Sequence, residues 1–399
     1  MNPSRRTFLA SVGAWSASRL APAGLPRGLA TRPGDFLFSP GLVYLQTGSL
    51  GPTPRPVMDR TVAAWEELET NPVLLGYGAL EHAIDQVRNR AAVFLGCQQD
   101  EIVLTNCTTE GMNWVAQGLN LTAGDRVVTT DQEHPGGRVC WDYLVRKHGV
   151  VLDIVPIPPG ENNALAIIDR FQAAIQPSTR ALSFSHVLSS TGLRMPVAEL
   201  SALARSRGCL AIVDGAQAVG GIDVDVKALG CHAYATSGHK WLLAPKGTGL
   251  LYLSAEIGAR VDPIALQSGR AAYSASSGVA NIPGIIGLGA AFDYLDEIGR
   301  AEIERHNLAL RQRVLKALRT VPRVEVVSPP GGPLVSPLLT YRLPDSIPSR
   351  HLYQRLLDRH QVVVKVVPGN WLNGHRISTH LFNDQRDVEA LVAALKVEL

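Results

Sequence analysis

The fold of this chain is decided by an apolar run that ends in a carboxylate, Leu210-Ala211-Ile212-Val213-Asp214-Gly215-Ala216-Gln217. A short β-branched run bounded by glycine is typical of a buried strand. An aspartate at the end of such a strand is poorly solvated and is expected to have a cationic partner, although an aspartate that caps a turn gives the same pattern. The run therefore predicts a central strand with a candidate functional residue at its carboxyl end.

Runs of the same kind alternate with helical patterns along the chain. Strands are predicted at residues 101–105, 126–130, 150–155, 181–185 and 249–253, and helices at residues 112–119, 139–147, 165–176 and 197–207. Strands separated by helical crossovers predict an α/β fold whose sheet is mostly parallel and covered by helices. Ligands bind at the carboxyl ends of the strands in such sheets.

Three segments are predicted from the order of these patterns. Residues 1–30 form a targeting segment and linker, residues 31–295 form a large domain, and residues 296–399 form a connector helix and a smaller C-terminal α+β domain. The connector belongs to a continuous helical pattern over residues 285–318. An amphipathic helix that starts near residue 385 closes the chain.

Composition excludes several classes of protein. The chain has 399 residues, of which 46% are hydrophobic and 18% charged, so wholesale disorder is excluded. Its five cysteines include no CxxC pair, which excludes a zinc ribbon and a disulfide-stapled miniprotein. No apolar run approaches the roughly 20 residues of a membrane span. A net charge of +3 is not the electrostatic footprint of a nucleic-acid-binding protein.

The first thirty residues resemble a secretion signal. The pattern Ser4-Arg5-Arg6-Thr7-Phe8-Leu9-Ala10 is typical of twin-arginine signals, and Ala21-Pro22-Ala23 is a cleavage pattern. We expect export of the folded protein to the periplasm. A disordered basic tail on a cytoplasmic protein is the alternative.

Three other segments place polar residues at the ends of predicted strands. Residues 105–111, Thr-Asn-Cys-Thr-Thr-Glu-Gly, open a helix, where backbone N–H groups and hydroxyls can cradle a phosphate. Lys240, next to a histidine and a tryptophan, is a candidate desolvated amine that attacks a carbonyl. His134 is a candidate for ring stacking or proton transfer. Helix-capping residues, a surface lysine and an ordinary loop histidine are the plainer interpretations.

Combined, these segments fit an aldehyde cofactor with a pyridine ring and a phosphate tail. Such a cofactor needs a lysine for the aldehyde, an acid that keeps the ring nitrogen protonated, an anion cradle and a stacking group. The 26 residues from Asp214 to Lys240 accommodate one crossover and one strand. The chain has no GxSxG elbow, HExxH motif or P-loop, so no competing catalytic set is apparent.

The chain resembles the class V aminotransferase group of fold type I pyridoxal-phosphate enzymes, which includes isopenicillin N epimerase and the cysteine desulfurases. The resemblance runs from about Tyr44 to the C-terminus. It rests on a set of motifs at residues 43–48, 108–111, 133–134, 213–217, 237–240, 278–289 and 376–378. A large domain with a mostly parallel sheet and a smaller C-terminal domain is the fold that this resemblance implies.

The resemblance also implies a role for each candidate site residue, with pyridoxal 5'-phosphate as the cofactor. Lys240 would form the internal aldimine and move the Cα proton, Asp214 would pair with the pyridinium nitrogen, and His134 would stack on the ring. Gln217 would bind the ring hydroxyl and Arg376 the substrate carboxylate. The phosphate would be held by Thr108, Thr109, Ser237 and His239.

Three departures from the group's pattern weaken a detailed assignment. Residues 365–375 contain no cysteine, so sulfur transfer through a persulfide is not expected. The Gly-Thr pair that many relatives contribute to the partner's phosphate is Gly278-Val279 here, with Ser276 or Ser277 as possible substitutes. The loop at residues 188–192, Leu-Ser-Ser-Thr-Gly, is closer to the epimerase-like branch.

The expected function is that of an exported enzyme acting on a small-molecule amino substrate, most simply an aminotransferase. Maturation of a siderophore or another secondary metabolite is one role that the resemblance suggests. Epimerisation and carbon–sulfur lysis remain alternatives, and a non-catalytic protein that binds pyridoxal phosphate is a third. The resemblance further implies a homodimer with its active site near the subunit interface, and the net charge of +3 gives no reason to expect a nucleic-acid partner.

Overall fold

The computed structural model describes residues 32–258, 260–369 and 371–399. The predicted targeting segment, residues 1–30, lies outside these described residues. None of the helices in the described part of the chain is both long and apolar enough to cross a membrane.

The strands of the described residues form one large sheet and several small ones. In chain order they are β1 (Val43–Tyr44), β2 (Ile102–Thr105), β3 (Arg126–Thr130), β4 (Val151–Val155), β5 (Thr179–Ser185), β6 (Leu210–Asp214), β7 (Ala233–Ser237), β8 (Gly249–Leu253), β9 (Tyr273–Ser274), β10 (Gly278–Val279), β11 (Glu325–Val326), β12 (Leu338–Arg342), β13 (Val362–Val363), β14 (Lys365–Val366) and β15 (Gly374–Ser378).

The large sheet has seven strands in the order β2-β8-β7-β6-β5-β3-β4. Adjacent strands from β4 to β7 pair in parallel, whereas β8 is antiparallel to both of its neighbours. Every residue of β6, β7 and β8 is buried, as expected for strands covered on both faces. The predicted mostly parallel α/β sheet is confirmed.

Twelve α-helices lie in the described residues. They are α1 (Arg55–Thr70), α2 (Pro72–Leu74), α3 (Leu80–Leu95), α4 (Thr108–Gly118), α5 (Pro135–His148), α6 (Ala164–Ala174), α7 (Val197–Ser206), α8 (Val226–Leu229), α9 (Ile282–Asp296), α10 (Arg300–Leu318), α11 (Ser349–His360) and α12 (Gln385–Glu398).

Helices α4 and α5 pack together on the large sheet. Met112 of α4 and Trp141 of α5 belong to one buried cluster with strand residues such as Ile212 and Ala235. Burial of aromatic and aliphatic side chains of this size contributes roughly 1.5–3 kcal/mol each. This packing fixes the first turns of α4 and α5 at the carboxyl edge of the sheet, where the candidate site lies.

The prediction of a single helix over residues 285–318 is wrong, because the structure has two helices there. Helix α9 ends at Asp296 and α10 begins at Arg300. Gly299 between them has a φ of 91°, a left-handed conformation that interrupts a helix and that glycine adopts without strain.

The C-terminal region builds a second, antiparallel sheet in the order β11-β12-β15-β14. Its core contains Leu310, Leu352 and Leu391, one from each of α10, α11 and α12. The N-terminal segment reaches this region, since β1 pairs with β13 and the Gly48 amide donates to Ser378 Oγ at 2.9 Å. The proposed domain boundary between residues 295 and 296 stays a prediction.

Candidate active site

The carboxyl ends of the parallel strands bring the predicted residues to one edge of the sheet. Asp214 is the last residue of β6 and Ser237 the last residue of β7, and both are buried. Lys240 follows β7 by three residues, and Gln217 follows β6 by three. Short loops after adjacent parallel strands therefore carry the acid, the lysine and the amide.

Asp214 and Lys240 form an electrostatically coupled pair. Asp214 Oδ1 accepts a hydrogen bond from the Ala216 amide at 2.9 Å. Burial raises the pKa of Asp214, and the charge of Lys240 opposes that rise. Burial lowers the pKa of Lys240 to about 8, which Asp214 partly offsets. A lysine with this pKa is neutral in a large fraction of molecules near pH 8, as a nucleophilic amine requires.

His134 is the N-cap of α5 and is held as a neutral ring. Its Nδ1 accepts a hydrogen bond from the Gly136 amide at 3.0 Å. Burial lowers the pKa of His134 to about 4, with further lowering by the charges of Lys240, Arg376 and Lys365. A neutral imidazole fits the predicted stacking role better than it fits an acid that must be charged near pH 7.

The predicted phosphate cradle forms at the start of α4. The Thr108 amide donates to Ser237 Oγ at 2.9 Å, and the two hydroxyls of Thr108 and Ser237 lie 2.7 Å apart. Thr109 follows on the same turn, and a Cβ at Gly136 would lie 2.4 Å from its Oγ1. The first turn of an eleven-residue helix with buried hydroxyls is suited to a phosphate.

Two residues of the predicted set also shape the loops around the lysine. Gln217 Nε2 donates to the Gly48 carbonyl at 2.7 Å, and Gln217 Oε1 accepts from Trp241 Nε1 at 2.9 Å. One N–H of the Gln217 amide is left for a ligand. The carbonyl of His239 accepts from the Gly51 amide at 2.7 Å, and burial lowers the pKa of the His239 ring to about 4.

Arg376 is a buried cation without an acidic partner among the described residues. Its Nη1 donates to the Ser189 carbonyl at 2.9 Å, and its Nη2 lies 3.3 Å from Ser49 Oγ. Its Nε is buried and has no partner in the described residues. Burial lowers the pKa of Arg376 to about 10. Because an uncompensated buried charge is costly, this guanidinium is suited to an incoming carboxylate.

Two of the three sequence departures have structural counterparts. Val279, at the position of the usual threonine, lies exposed on β10. The Ser276 hydroxyl lies 2.5 Å from that of Ser268, and the Ser277 hydroxyl lies 2.5 Å from that of Ser274, so both side chains have a local partner. Within residues 188–192, the Ser189 carbonyl fixes Arg376, as described above.

Sequence reasoning left two residues of the site without a role, Glu133 and Lys365. Glu133 Oε2 accepts from Ser185 Oγ and Oε1 from Thr130 Oγ1, each at 2.6 Å. Burial raises the pKa of Glu133 to about 7. Its place beside His134 after a strand was a usable signal. Lys365 lies opposite Arg376 in a strand pair, which no local pattern revealed.

The described residues fit pyridoxal phosphate. The cradle at Thr108 and Ser237 suits the phosphate, and the amine of Lys240 suits the aldehyde. Asp214 suits the ring nitrogen, and its Oδ2 lies where a Cβ at Gly137 would be only 2.4 Å away, so a side chain at that position would collide with the carboxylate.

Comparisons with known proteins agree with this geometry. The family model described as aminotransferase class V matches residues 43–391. Isopenicillin N epimerase from Amycolatopsis lactamdurans is 32% identical over 384 residues, covering 90% of this chain and 95% of the relative. A probable cysteine desulfurase from Methanothermobacter thermautotrophicus is 31% identical over 306 residues, covering 72% of this chain and 75% of the relative.

A solved structure shows the same fold. It is a C-DES variant with glycine covalently linked to its pyridoxal-phosphate cofactor, with a TM-score of 0.83 at 22% identity, covering 92% of this chain and 99% of the other. This structure confirms the predicted fold, and the family match confirms the predicted cofactor, pyridoxal phosphate. This chain belongs to the class V aminotransferase family of pyridoxal-phosphate-dependent enzymes.

Proposed function

We propose that this protein acts on an amino acid at its α-carbon, with Lys240 as the proton-transfer group. The observation that carries the proposal is the buried guanidinium of Arg376, which has no acidic partner among the described residues and lies in the same site as the Asp214–Lys240 pair. A carboxylate bound there would present the neighbouring amino group to the lysine.

Bound pyridoxal phosphate supplies an electron sink for the negative charge that develops at the substrate's α-carbon. The chain's own residues prepare the site for it. Asp214 would offer its carboxylate to the ring nitrogen, and neutral His134 would stack on the ring without adding charge. Lys240, with its lowered pKa, accepts or returns a proton near neutral pH.

Transamination is the first candidate reaction, and epimerisation is the second. Epimerisation is favoured by one specific observation, the 32% identity to an isopenicillin N epimerase across 95% of that relative. Carbon–sulfur lysis stays an alternative, since cysteine desulfurases are also among the relatives. The segment that precedes Arg376, residues 365–375, contains no cysteine that could transfer sulfur.

The test is a single-turnover screen of D- and L-amino acids, followed by the cofactor's absorbance and by product analysis. Transamination converts the cofactor to its amine form and releases an oxo acid, whereas epimerisation inverts the amino acid and leaves the cofactor unchanged. Lys240→Ala should abolish both the visible band and turnover. The matched control is Lys316→Ala, since Lys316 is an exposed lysine of α10. Turnover that persists in Lys240→Ala would refute the proposal.

We also propose that the enzyme is exported and that it forms a homodimer. The twin-arginine pattern at residues 4–10 supports export. Exposed apolar side chains near the site, among them Tyr77, Tyr273 and Val279, support an apolar subunit contact. Cell fractionation with an Arg5→Lys, Arg6→Lys variant tests the first proposal, and sedimentation of the purified protein tests the second. The predicted role in siderophore maturation stays a prediction.

A further inference from the structure

Lys365 and Arg376 are cross-strand neighbours at the site. Lys365 of β14 is the register partner of Arg376 of β15 in an antiparallel pair. Residues directly opposite each other in such a pair project from the same face of the sheet. The side chain of Arg376 extends to Ser49 and the Ser189 carbonyl, so Lys365 projects toward the same side.

The charge of Lys365 acts on the reactive residues but has no counter-ion among the described residues. It contributes to the lowered pKa of His134 and to that of Lys240. The pKa of Lys365 itself is lowered by burial and by Arg376, with no acidic group of the described residues opposing this effect. Within the described residues, buried Arg376 and half-buried Lys365 are therefore neighbouring cations without an acidic partner, and a bound anion would stabilise both.

The known requirements of the site account for only one of these cations. The phosphate has its own cradle at Thr108 and Ser237, at the start of α4. The substrate's α-carboxylate needs one bidentate partner, for which Arg376 is suited. The ring nitrogen is matched by Asp214. Lys365 is left over as a positive charge that faces the substrate.

We propose that Lys365 binds a second anionic group on the substrate, so that the preferred substrate is an amino acid with a carboxylate in its side chain. This inference rests on the proposed function. It assigns Arg376 to the α-carboxylate and Lys365 to the distal carboxylate. Such a site discriminates strongly between a side-chain carboxylate and the isosteric amide, because the amide leaves the lysine without its charge partner.

The test measures binding to the purified holoenzyme through the cofactor's absorbance. Aspartate is compared with asparagine, and glutamate with glutamine, in both enantiomers. For at least one pair we expect the acid to bind roughly tenfold or more tightly than its amide, the ratio that one charge contact provides. Lys365→Met should weaken binding of the acid but not of the amide, which brings the ratio of the two affinities close to one. Lys365→Arg should preserve this ratio.

Two controls separate this inference from other roles of the lysine. Lys316→Met repeats the same change at an exposed lysine and should leave the ratio unaltered. The cofactor-free Lys365→Met protein should bind pyridoxal phosphate as tightly as the wild type. Weaker cofactor binding would assign Lys365 to the phosphate and overturn the inference.

The remaining outcomes are also decisive. A wild-type enzyme that prefers neither acid over its amide overturns the inference, and so does a preference that survives in Lys365→Met. If amides and other neutral amino acids still perturb the cofactor, the proposed function stands and only the role of Lys365 falls. If no amino acid of any kind perturbs the cofactor, the proposed function and this inference fall together.

Discussion

Gly137 lies directly against the carboxylate of Asp214, since a Cβ at Gly137 would be 2.4 Å from Asp214 Oδ2. The first turn of α5 thus passes so close to the end of β6 that only glycine fits. The same helix begins at the N-cap His134. The backbone of one helix turn therefore sets the positions of both the acid and the stacking ring.

We expect Gly137→Ala to displace the Asp214 carboxylate and to weaken pyridoxal-phosphate binding by about tenfold or more. Added volume in a packed site typically costs about 1–3 kcal/mol, and here the neighbour is a charged group needed by the ring. Equilibrium titration of the cofactor-free protein measures the effect. Gly331→Ala is the control, because a Cβ there meets nothing within 4 Å. Equal affinities in both variants would contradict the prediction.

Arg376→Met should raise the KM for carboxylate-bearing substrates about 10- to 150-fold, since a hydrogen bond to a charged group contributes roughly 1.5–3 kcal/mol. The same variant should be at least as heat-stable as the wild type without cofactor, because it removes a buried charge that lacks an acidic partner among the described residues. Steady-state kinetics and thermal unfolding measure the two effects. A loss of stability together with an unchanged KM would show that Arg376 is a structural residue.

Much of the fold follows from local sequence. The strand predicted at residues 249–253 is β8 as observed, and the aspartate at the end of the run from Leu210 is the last residue of β6. These segments are short, apolar and bounded by turn residues, so one pattern determines both their type and their ends. The break between α9 and α10 was missed because a single glycine inside a helical pattern is often tolerated.

The candidate site was predictable only where its residues follow strands that the sequence itself predicts. Asp214 and Lys240 stand at the ends of adjacent strands, so their proximity follows from the strand order. Lys365 reaches the site through its pairing with Arg376, and Glu133 acts through Ser185, 52 residues away. Such contacts depend on the register of strands in three dimensions, which the periodicity of one sequence does not determine.

Glu133→Gln should remove a pH-dependent part of the stability of the cofactor-free protein. Burial raises the pKa of Glu133 from 4.5 to about 7, so between these values the folded protein keeps a proton that the unfolded chain releases. The corresponding stabilisation is present below pH 4.5 and is lost as the pH rises toward 7, amounting to up to about 3 kcal/mol.

Urea unfolding of wild type and variant at several pH values tests this prediction. The difference in unfolding free energy, wild type minus variant, should fall between pH 4.5 and 7 and stay level above it. The exposed Glu199→Gln change is the control and should give no such slope. A difference that rises with pH in this window would mean that the folded protein favours the ionised carboxylate.

Lys240 should react with aldehydes at a lower pH than a lysine of ordinary pKa. Burial lowers the pKa of Lys240 to about 8 from an ordinary value of 10.5, and only the neutral amine attacks a carbonyl. Reductive trapping of pyridoxal phosphate on the cofactor-free protein, followed by peptide mass spectrometry, measures labelling at each site. The label on Lys240 should reach half of its maximum near pH 8, and the labelling of exposed Lys316 is recorded in the same sample as the control.

The Asp214→Asn variant extends this test to the partner of Lys240. The charge of Asp214 raises the pKa of Lys240 and so opposes the effect of burial. Removing that charge should move the labelling midpoint of Lys240 to a still lower pH, and exposed Lys316 again serves as the control in the same sample. A midpoint that is unchanged, or that moves to higher pH, would mean that Asp214 does not interact with the amine. The coupled pair on which the proposed chemistry depends would then be absent.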